Sequence, residues 1–106
     1  MTQNRGTGDF DFHLEEEDLR QERAKARELR ASQWWKRRLA KGVCHYCGRN
    51  FPPRELTMDH IVPVSRGGRS TKGNVAPCCK ECNSAKKQLL PMEWEDYLKR
   101  FGPPTA

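Results

Sequence analysis

The order of apolar and polar residues predicts a long helix in the first half of the chain. Residues 14–41 are rich in Glu, Leu, Arg, Lys and Ala and contain neither Gly nor Pro, which favours a helix. The apolar stripe along it is thin and consists of Leu19, Ala26, Leu29 and Ala40. We therefore expect most of this helix, at least in its first half, to stand in solvent. Gly42 follows as the residue that ends it.

The second half of the chain predicts shorter elements. Residues 56–64 are apolar and β-branched and predict a strand that is broken at Pro63, and residues 75–77 are short and extended. Residues 79–89 predict a helix, which Pro91 interrupts. A last helix is predicted by four residues at helical spacing, Trp94, Tyr97, Leu98 and Phe101. Its simplest role is to cover the core.

Composition indicates one small domain that needs an added stabilising feature. The chain has 106 residues, of which 35% are apolar and 32% are charged, so its core must be small. Domains of this kind are usually held by disulfides, a metal or a partner. The net charge of +6 and the pI near 9.3 favour a polyanionic partner.

No stretch predicts a membrane span or a signal for export. No apolar run approaches the length of about eighteen residues that a span needs, and residues 1–12 have no apolar centre or cleavage site. Residues 1–13 are polar and predict a disordered lead-in. We expect a soluble, cytoplasmic protein in a reducing compartment, where Cys-x-x-Cys pairs indicate metal ligands rather than disulfides.

Four of the five cysteines have the spacing of a structural zinc site. Cys44 and Cys47 form one Cys-x-x-Cys pair, and Cys79 and Cys82 form another after a gap of 31 residues. Four thiolates make a closed tetrahedral Zn²⁺ site with no open position for catalysis. Such a site contributes on the order of 10 kcal/mol to folding in comparable peptides. Cys78 would break the spacing if it replaced Cys79, so we expect a small buried side chain there.

A second group of residues indicates chemistry. Asp59 and His60 stand side by side in an apolar run, where charged residues are rare unless they are paired, bound to metal or reactive. Asp59, Asn74 and Asn83 offer oxygen ligands, which suit Mg²⁺ or Mn²⁺. His60 beside such a site can act as a general base. The alternative is that Asp59 caps a turn and His60 is an ordinary core histidine.

Together these residues resemble the HNH endonucleases. The resemblance rests on the Asp-His-x-x-Pro-x-Ser-x-Gly-Gly run that starts at Asp59, on Asn74, and on the Cys-x-x-Cys-Asn-x-x-x-Lys run that starts at Cys79. It covers residues 44–87. It implies an α+β fold, in which a small zinc-stapled ββα-metal core lies in a domain of residues 42–106. The charged helix of residues 14–41 precedes that domain, and a short helix ends it.

The resemblance also implies a role for each site residue. His60 activates water, Asp59 and Asn83 hold the catalytic divalent ion, and Asn74 orients His60 through the hairpin backbone. Asn83 stands where other members have His, a variation that bears on metal preference. Four basic residues flank the site and are expected to neutralise phosphates: Arg66, Arg69, Lys86 and Lys87. His13 and His45 receive no role.

The expected activity is metal-assisted hydrolysis of a DNA phosphodiester that leaves 5′-phosphate and 3′-hydroxyl ends. One site in one chain predicts a monomer or weak dimer that nicks one strand. Because phosphate contacts position without specifying sequence, we expect weak sequence preference.

Two other functions remain open from the sequence. The chain is a zinc module that binds nucleic acid without cutting it, or it is an adaptor whose N-terminal helix docks a phage packaging or repair complex. The adjacent Trp34 and Trp35 also leave two interpretations open. Either one packs and the other is half-exposed, or one contacts nucleic acid together with the basic residues that follow, Lys36, Arg37 and Arg38.

Overall fold

The computed structural model describes residues 16–104, so the predicted lead-in of residues 1–13 lies outside the described part. The elements in chain order are α1 (Glu16–Ala31), α2 (Gln33–Ala40), β1 (Thr57–His60), β2 (Val75–Cys78), α3 (Lys80–Lys86) and α4 (Pro91–Phe101). The predicted α+β class, with a small core between an N-terminal helical arm and a C-terminal helix, is confirmed. Among the described helices, none is long and apolar enough to cross a membrane.

The predicted N-terminal helix is two helices that meet at Ser32. Ser32 has extended backbone angles of φ −77° and ψ 152°, and its Oγ accepts a hydrogen bond of 3.1 Å from the amide of Trp35. A serine in this position satisfies an amide at the start of a helix and so favours a new helix there. The composition of residues 14–41 favours a helix throughout, and the cap at Ser32 divides this segment into α1 and α2.

One face of α1 packs against the rest of the molecule. Glu22 and Ala26 are only 4% and 6% exposed, although most other positions of the helix are exposed or half-buried. This agrees with the expectation that most of the helix stands in solvent, and the packed face includes Ala26 of the predicted apolar stripe. The contacts of Glu22, a charged residue, hold α1 in place, and they are described with the site.

β1 and β2 form an antiparallel hairpin in which Asp59 pairs with Ala76 and His60 pairs with Val75. β2 is buried along its whole length. β1 is shorter than the predicted strand, because the chain turns away after His60 toward Pro63, a residue that has no amide hydrogen to donate to a ladder. Residues 61–74 therefore form a long loop between two short strands.

The core lies between the hairpin, α3 and α4. Its buried residues are Cys44, Leu56, Cys78, Cys79, Cys82 and Trp94. α4 covers this core as predicted, with Trp94 buried and with Tyr97 and Leu98 partly buried against it. Phe101, which the pattern placed on the same face, is 68% exposed, because it lies at the end of the helix. Trp94 is the main contact between α4 and the core.

The chain between α2 and the hairpin makes a tight turn that Gly42 permits. Gly42 has a positive φ of +66°, and a Cβ there would lie 2.8 Å from the carbonyl oxygen of Phe51. Only glycine fits both conditions without strain. The predicted end of the N-terminal helical region at Gly42 is confirmed.

The two tryptophans of α2 differ in burial, as the simpler interpretation predicts. Trp35 is 2% exposed, and Trp34 is half-buried. The Arg38 guanidinium and the Lys72 ammonium lie 5.3 Å and 5.5 Å from the centre of the Trp34 ring. These distances fit cation–π contacts, which account for the position of Trp34.

Candidate active site and metal centre

The four paired cysteines converge at one point. Cys44 and Cys47 lie in the turn after α2, whereas Cys79 caps α3 and Cys82 lies in its first turn. Their sulfur atoms all lie within 4.8 Å of one another, and those of Cys47 and Cys79 are 3.9 Å apart. Zn–S bonds of about 2.3 Å in a tetrahedron require sulfur separations of about 3.8 Å. The cluster therefore fits a metal such as zinc.

Backbone amides favour the thiolate form of Cys44, whereas burial raises the pKa of the Cys79 and Cys82 thiols. The amide of Cys79 lies 3.4 Å from the sulfur of Cys44, and the amide of Cys82 lies 3.5 Å from the sulfur of Cys79. Burial alone would raise the pKa of the Cys44 thiol, but amide hydrogen bonds from Cys47 and Cys79 outweigh it and lower the pKa to about 7. A lowered pKa favours the deprotonated form that binds metal.

Cys78 stands apart from this cluster. It is fully buried, and its thiol donates a hydrogen bond of 3.4 Å to the carbonyl oxygen of Cys79. Burial and the nearby Asp59 carboxylate raise the pKa of its thiol. Cys78 is thus a protonated core residue, as its place in the sequence indicates.

The structure brings Asp59, His60 and Asn83 to one cavity. The cavity has a volume of about 360 Å³ and opens between β1, the loop that follows it, and α3, with Leu19 of α1 at its edge. Asp59 and His60 come from the end of β1, and Asn83 follows Cys82 on α3. The cysteine cluster includes Cys82 and so ties α3 to the turn before the hairpin.

Asp59 is held by two partners at one of its oxygens. Its Oδ2 accepts a hydrogen bond of 2.5 Å from the Tyr46 hydroxyl and lies 3.2 Å from the Lys86 ammonium. No donor in residues 16–104 occupies its Oδ1. Burial and the Asp59 carboxylate raise the pKa of Tyr46, so it stays a donor. The carboxylate is oriented through Oδ2, while Oδ1 remains available for a ligand.

The interpretation of Lys86 as a phosphate contact is wrong. Its side chain is 1% exposed, and its ammonium pairs with Asp59 Oδ2 and also donates a hydrogen bond of 3.2 Å to the carbonyl oxygen of His60. A buried ammonium needs such partners. Lys86 stabilises Asp59 and the backbone of His60. In the sequence it stands beside other basic residues and cannot be distinguished from an exposed lysine.

Ser70 and Glu22 determine which nitrogen of His60 carries the proton. His60 Nε2 lies 2.9 Å from Ser70 Oγ, and the Ser70 hydroxyl donates a hydrogen bond of 3.1 Å to the carbonyl oxygen of Glu22. A carbonyl can only accept, so the single proton of Ser70 is used there. Ser70 Oγ therefore accepts from Nε2–H of His60. In the neutral ring this leaves Nδ1 unprotonated, the form that a general base needs.

Burial also favours the neutral form of His60. Burial, together with the charges of Arg30 and Lys86, lowers the pKa of the imidazole and outweighs the opposing carboxylates of Asp59 and Glu22. A half-buried imidazole with a lowered pKa is uncharged at neutral pH. The tautomer and the charge state thus agree with a role as base.

Asn74 closes the loop that follows His60. Its Oδ1 accepts a hydrogen bond of 2.9 Å from the Val62 amide, and its Nδ2 donates to the carbonyl oxygens of Val62 and Arg69 at 3.0 Å and 2.9 Å. Its own carbonyl accepts from the Ile61 amide at 2.8 Å. These bonds continue the hairpin beyond His60. The geometry supports the positioning role that the resemblance implies for Asn74.

Glu22 joins α1 to the same loop, a contact that no pattern along the chain predicts. Its Oε1 accepts a hydrogen bond of 2.7 Å from the Ser70 amide, and its Oε2 lies 3.3 Å from Arg69 and 3.5 Å from Lys25. Burial would raise the pKa of Glu22, but the Ser70 amide and the two cations outweigh it and lower the pKa. Glu22 lies in a run of acids, and only its burial distinguishes it.

The other predicted phosphate contacts have different surroundings. Arg66 pairs with Glu93 at 3.2 Å, and Arg69 pairs with Glu22 at 3.3 Å. Lys87 is exposed and lines the cavity with Asp59 and Asn83. Arg66 and Arg69 are exposed as well, but each already has a carboxylate partner.

Comparison with known proteins found a matching family model and a similar restriction enzyme. Residues 44–89 match the family model of the HNH endonucleases. The chain is also similar to the type IV methyl-directed restriction enzyme EcoKMcrA of Escherichia coli (strain K12), with 33% identity over 55 residues, 46% of this chain and 20% of that protein. The chain thus spans about one fifth of the length of this relative. The resemblance found in the sequence is confirmed.

Proposed function

We propose that this chain, in which residues 44–89 form an HNH endonuclease domain, is a metal-dependent endonuclease that hydrolyses phosphodiester bonds of DNA. The observation that carries the proposal is the shared cavity of Asp59, His60 and Asn83. The basic net charge of +6 favours a polyanionic substrate.

In the proposed reaction, Nδ1 of His60 removes a proton from a water molecule. The water oxygen forms a bond to phosphorus as the bond from phosphorus to the 3′ oxygen breaks. The 3′ oxygen takes a proton from solvent and leaves as a hydroxyl, and His60 returns its proton to solvent. The products are a 5′-phosphate end and a 3′-hydroxyl end. A positioned general base contributes about 10²–10⁴-fold to the rate. Ser70 keeps Nδ1 available by accepting from Nε2.

Asp59 and Asn83 are the residues that would hold the catalytic divalent ion, Mg²⁺ or Mn²⁺. Their oxygen ligands suit such ions, and Oδ1 of Asp59 has no donor among the described residues. When bound, the ion would supply positive charge that stabilises the charge developing on the phosphate. Tyr46 and Lys86 fix the carboxylate that would receive it. The four clustered cysteines would hold a structural Zn²⁺.

We further propose that the enzyme nicks one strand and has weak sequence preference. One chain carries one such cavity in its described part, and one site cuts one strand at a time. A monomer or weak dimer is sufficient for this activity. Lys87, which is exposed at the cavity, is the predicted basic residue best placed to contact a neighbouring phosphate.

Supercoiled plasmid tests the proposal. Wild type and His60→Ala are incubated with the plasmid in EDTA, Mg²⁺ and Mn²⁺, and His13→Ala serves as a histidine control to which the sequence gives no role. We expect wild type and His13→Ala to convert plasmid to open circles only with a divalent ion, and His60→Ala to leave it supercoiled. If all three proteins shift the plasmid on a gel but never cut it, a zinc module that binds DNA is the better account.

A further inference from the structure

A second cavity at His60 is lined by arginines that lie outside the HNH domain. Its volume is about 370 Å³, and its wall is formed by α1 on one side and by His60, Val64 and Ser70 on the other. The basic residues of α1 in this wall are Arg23, Arg27 and Arg30. Their spacing of four and three residues places them on one face of the helix. We call them the arginine stripe.

We propose that the arginine stripe binds the sugar–phosphate backbone of DNA and holds it against His60. This inference rests on the proposed function, because it assigns the surface that delivers the substrate to that site. The stripe spans about 10 Å along the helix axis, at a rise of about 1.5 Å per residue. That length allows contact with more than one phosphate group.

The arginines of the stripe have no carboxylate partner in residues 16–104. Three other arginines do: Arg20 pairs with Glu17, Arg66 with Glu93 and Arg69 with Glu22. All three stripe residues are exposed. An unpaired guanidinium keeps its donors free for the two-pronged hydrogen bonds that it forms with phosphate oxygens. A set of three at one cavity concentrates positive charge beside the reactive histidine.

The position of the stripe relative to His60 is fixed by buried contacts. Glu22 precedes Arg23 and accepts the hydrogen bond from the Ser70 amide, and Ser70 in turn contacts Nε2 of His60. Ala26, between Arg23 and Arg27 on the chain, is 6% exposed. Arg30 and His60 line the same cavity. α1 therefore presents the stripe beside the base.

A DNA-binding measurement tests the stripe separately from cleavage. In the full chain carrying His60→Ala, Arg23, Arg27 and Arg30 are changed together to Ala, and binding of a fluorescent DNA duplex is followed by anisotropy over a range of salt concentrations. The control variant removes the same charge by changing Arg54, Lys99 and Arg100, which are exposed and line neither cavity at His60. Alanine preserves the helix in both variants.

We expect the stripe variant to lose at least tenfold in affinity relative to the control variant. Its slope of log affinity against log salt concentration should fall by about 2 to 3, since each lost phosphate contact accounts for about 0.9. A variant with Lys at all three positions should keep most of the slope, because it keeps the charge. Circular dichroism and zinc content check the fold. If the Ala variant fails to fold, a variant with Gln at the same three positions, which also removes the charge, carries the test with the same expected loss.

The outcomes separate this inference from the proposed function. If wild type nicks plasmid but the stripe variant binds duplex like the control, the inference is overturned and the nuclease remains. If wild type never nicks plasmid but the stripe variant loses binding, the proposed activity fails and the stripe stands as a DNA-binding surface. If the Lys variant loses binding as fully as the Ala variant, or if the parent protein does not bind duplex, the stripe is not a phosphate site and the inference is overturned.

Discussion

The Oγ of Ser70 lies 2.9 Å from Nε2 of His60, and its hydroxyl hydrogen already forms a hydrogen bond to the carbonyl oxygen of Glu22. This relationship makes Ser70 an acceptor for His60 and leaves Nδ1 as the basic nitrogen. Glu22 of the helical arm thus determines, through the Ser70 hydroxyl, the protonated form of His60, which lies in the region that matches the HNH endonuclease model.

Ser70→Ala should reduce the nicking rate more than it reduces DNA binding. Without the acceptor, Nε2–H is no longer favoured, so a fraction of His60 presents the wrong nitrogen. Loss of one hydrogen bond of about 1 kcal/mol corresponds to roughly a fivefold lower rate. Plasmid nicking and duplex anisotropy measure the two effects. Ser84→Ala, an exposed serine of α3, is the control, and a wild-type rate for Ser70→Ala would contradict the assignment.

Glu22→Gln should destabilise the docking of α1 at neutral pH. The variant loses the charge that accepts the Ser70 amide and pairs with Arg69, which costs about 1.5–3 kcal/mol for a hydrogen bond to a charged group. Chemical unfolding at pH 7 measures the difference. Glu17→Gln removes an exposed partner of Arg20 and should change stability little.

The stability of wild type and that of Glu22→Gln should depend differently on pH. The pKa of Glu22 is lowered in the folded protein, so its carboxylate stabilises the fold above its usual pKa near 4.5 and that contribution is lost as the pH falls through the lowered value. The stability of wild type and Glu22→Gln should therefore converge in acid. A difference that stays constant down to about pH 2 would exclude the carboxylate as its source.

Gly68→Ala should disrupt the loop that follows His60. A Cβ at Gly68 would lie 1.7 Å from the carbonyl oxygen of Val62 and 2.9 Å from Nδ2 of Asn74, so the bonds between these two residues would have to break. We expect a loss of about 3 kcal/mol or more in stability, together with loss of nicking. Gly73→Ala in the same loop meets nothing within 4 Å. Similar thermal stability of the two variants would show that the loop can relax around the added atom.

Metal removal should unfold the core. We expect one Zn²⁺ per chain, loss of the cooperative unfolding transition in a strong chelator, and loss of zinc in Cys82→Ala. Cys78→Ala should keep the metal, because the Cys78 thiol bonds the Cys79 carbonyl instead. Elemental analysis and thermal unfolding of the two variants decide the point. Retention of zinc by Cys82→Ala would show that Cys82 is not a ligand.

The ends of helices and strands could be predicted from the sequence wherever a residue in the element itself determines them. Gly42, Pro63 and the periodic apolar residues of α4 mark boundaries through backbone chemistry that does not depend on distant contacts. The break at Ser32 was not anticipated, because serine is tolerated in a helix and acts as a cap only when its side chain bonds the Trp35 amide. The composition around it gave no reason to place a boundary there.

The sequence by itself determined the chemical groups of this protein and their local spacing. The four paired cysteines, the Asp59-His60 pair, Asn74 and Asn83 are recognisable because ligands and bases of a small site need particular atoms at short intervals along the chain. Only the tertiary structure decided which charges face inward. Lys86 is buried beside Asp59, Glu22 reaches Ser70 across 48 positions, and Arg23, Arg27 and Arg30 line the cavity at His60. The identity of a charged residue does not reveal whether its side chain is buried or exposed. Only the packing of distant segments provides the partner that stabilises the charge in the core.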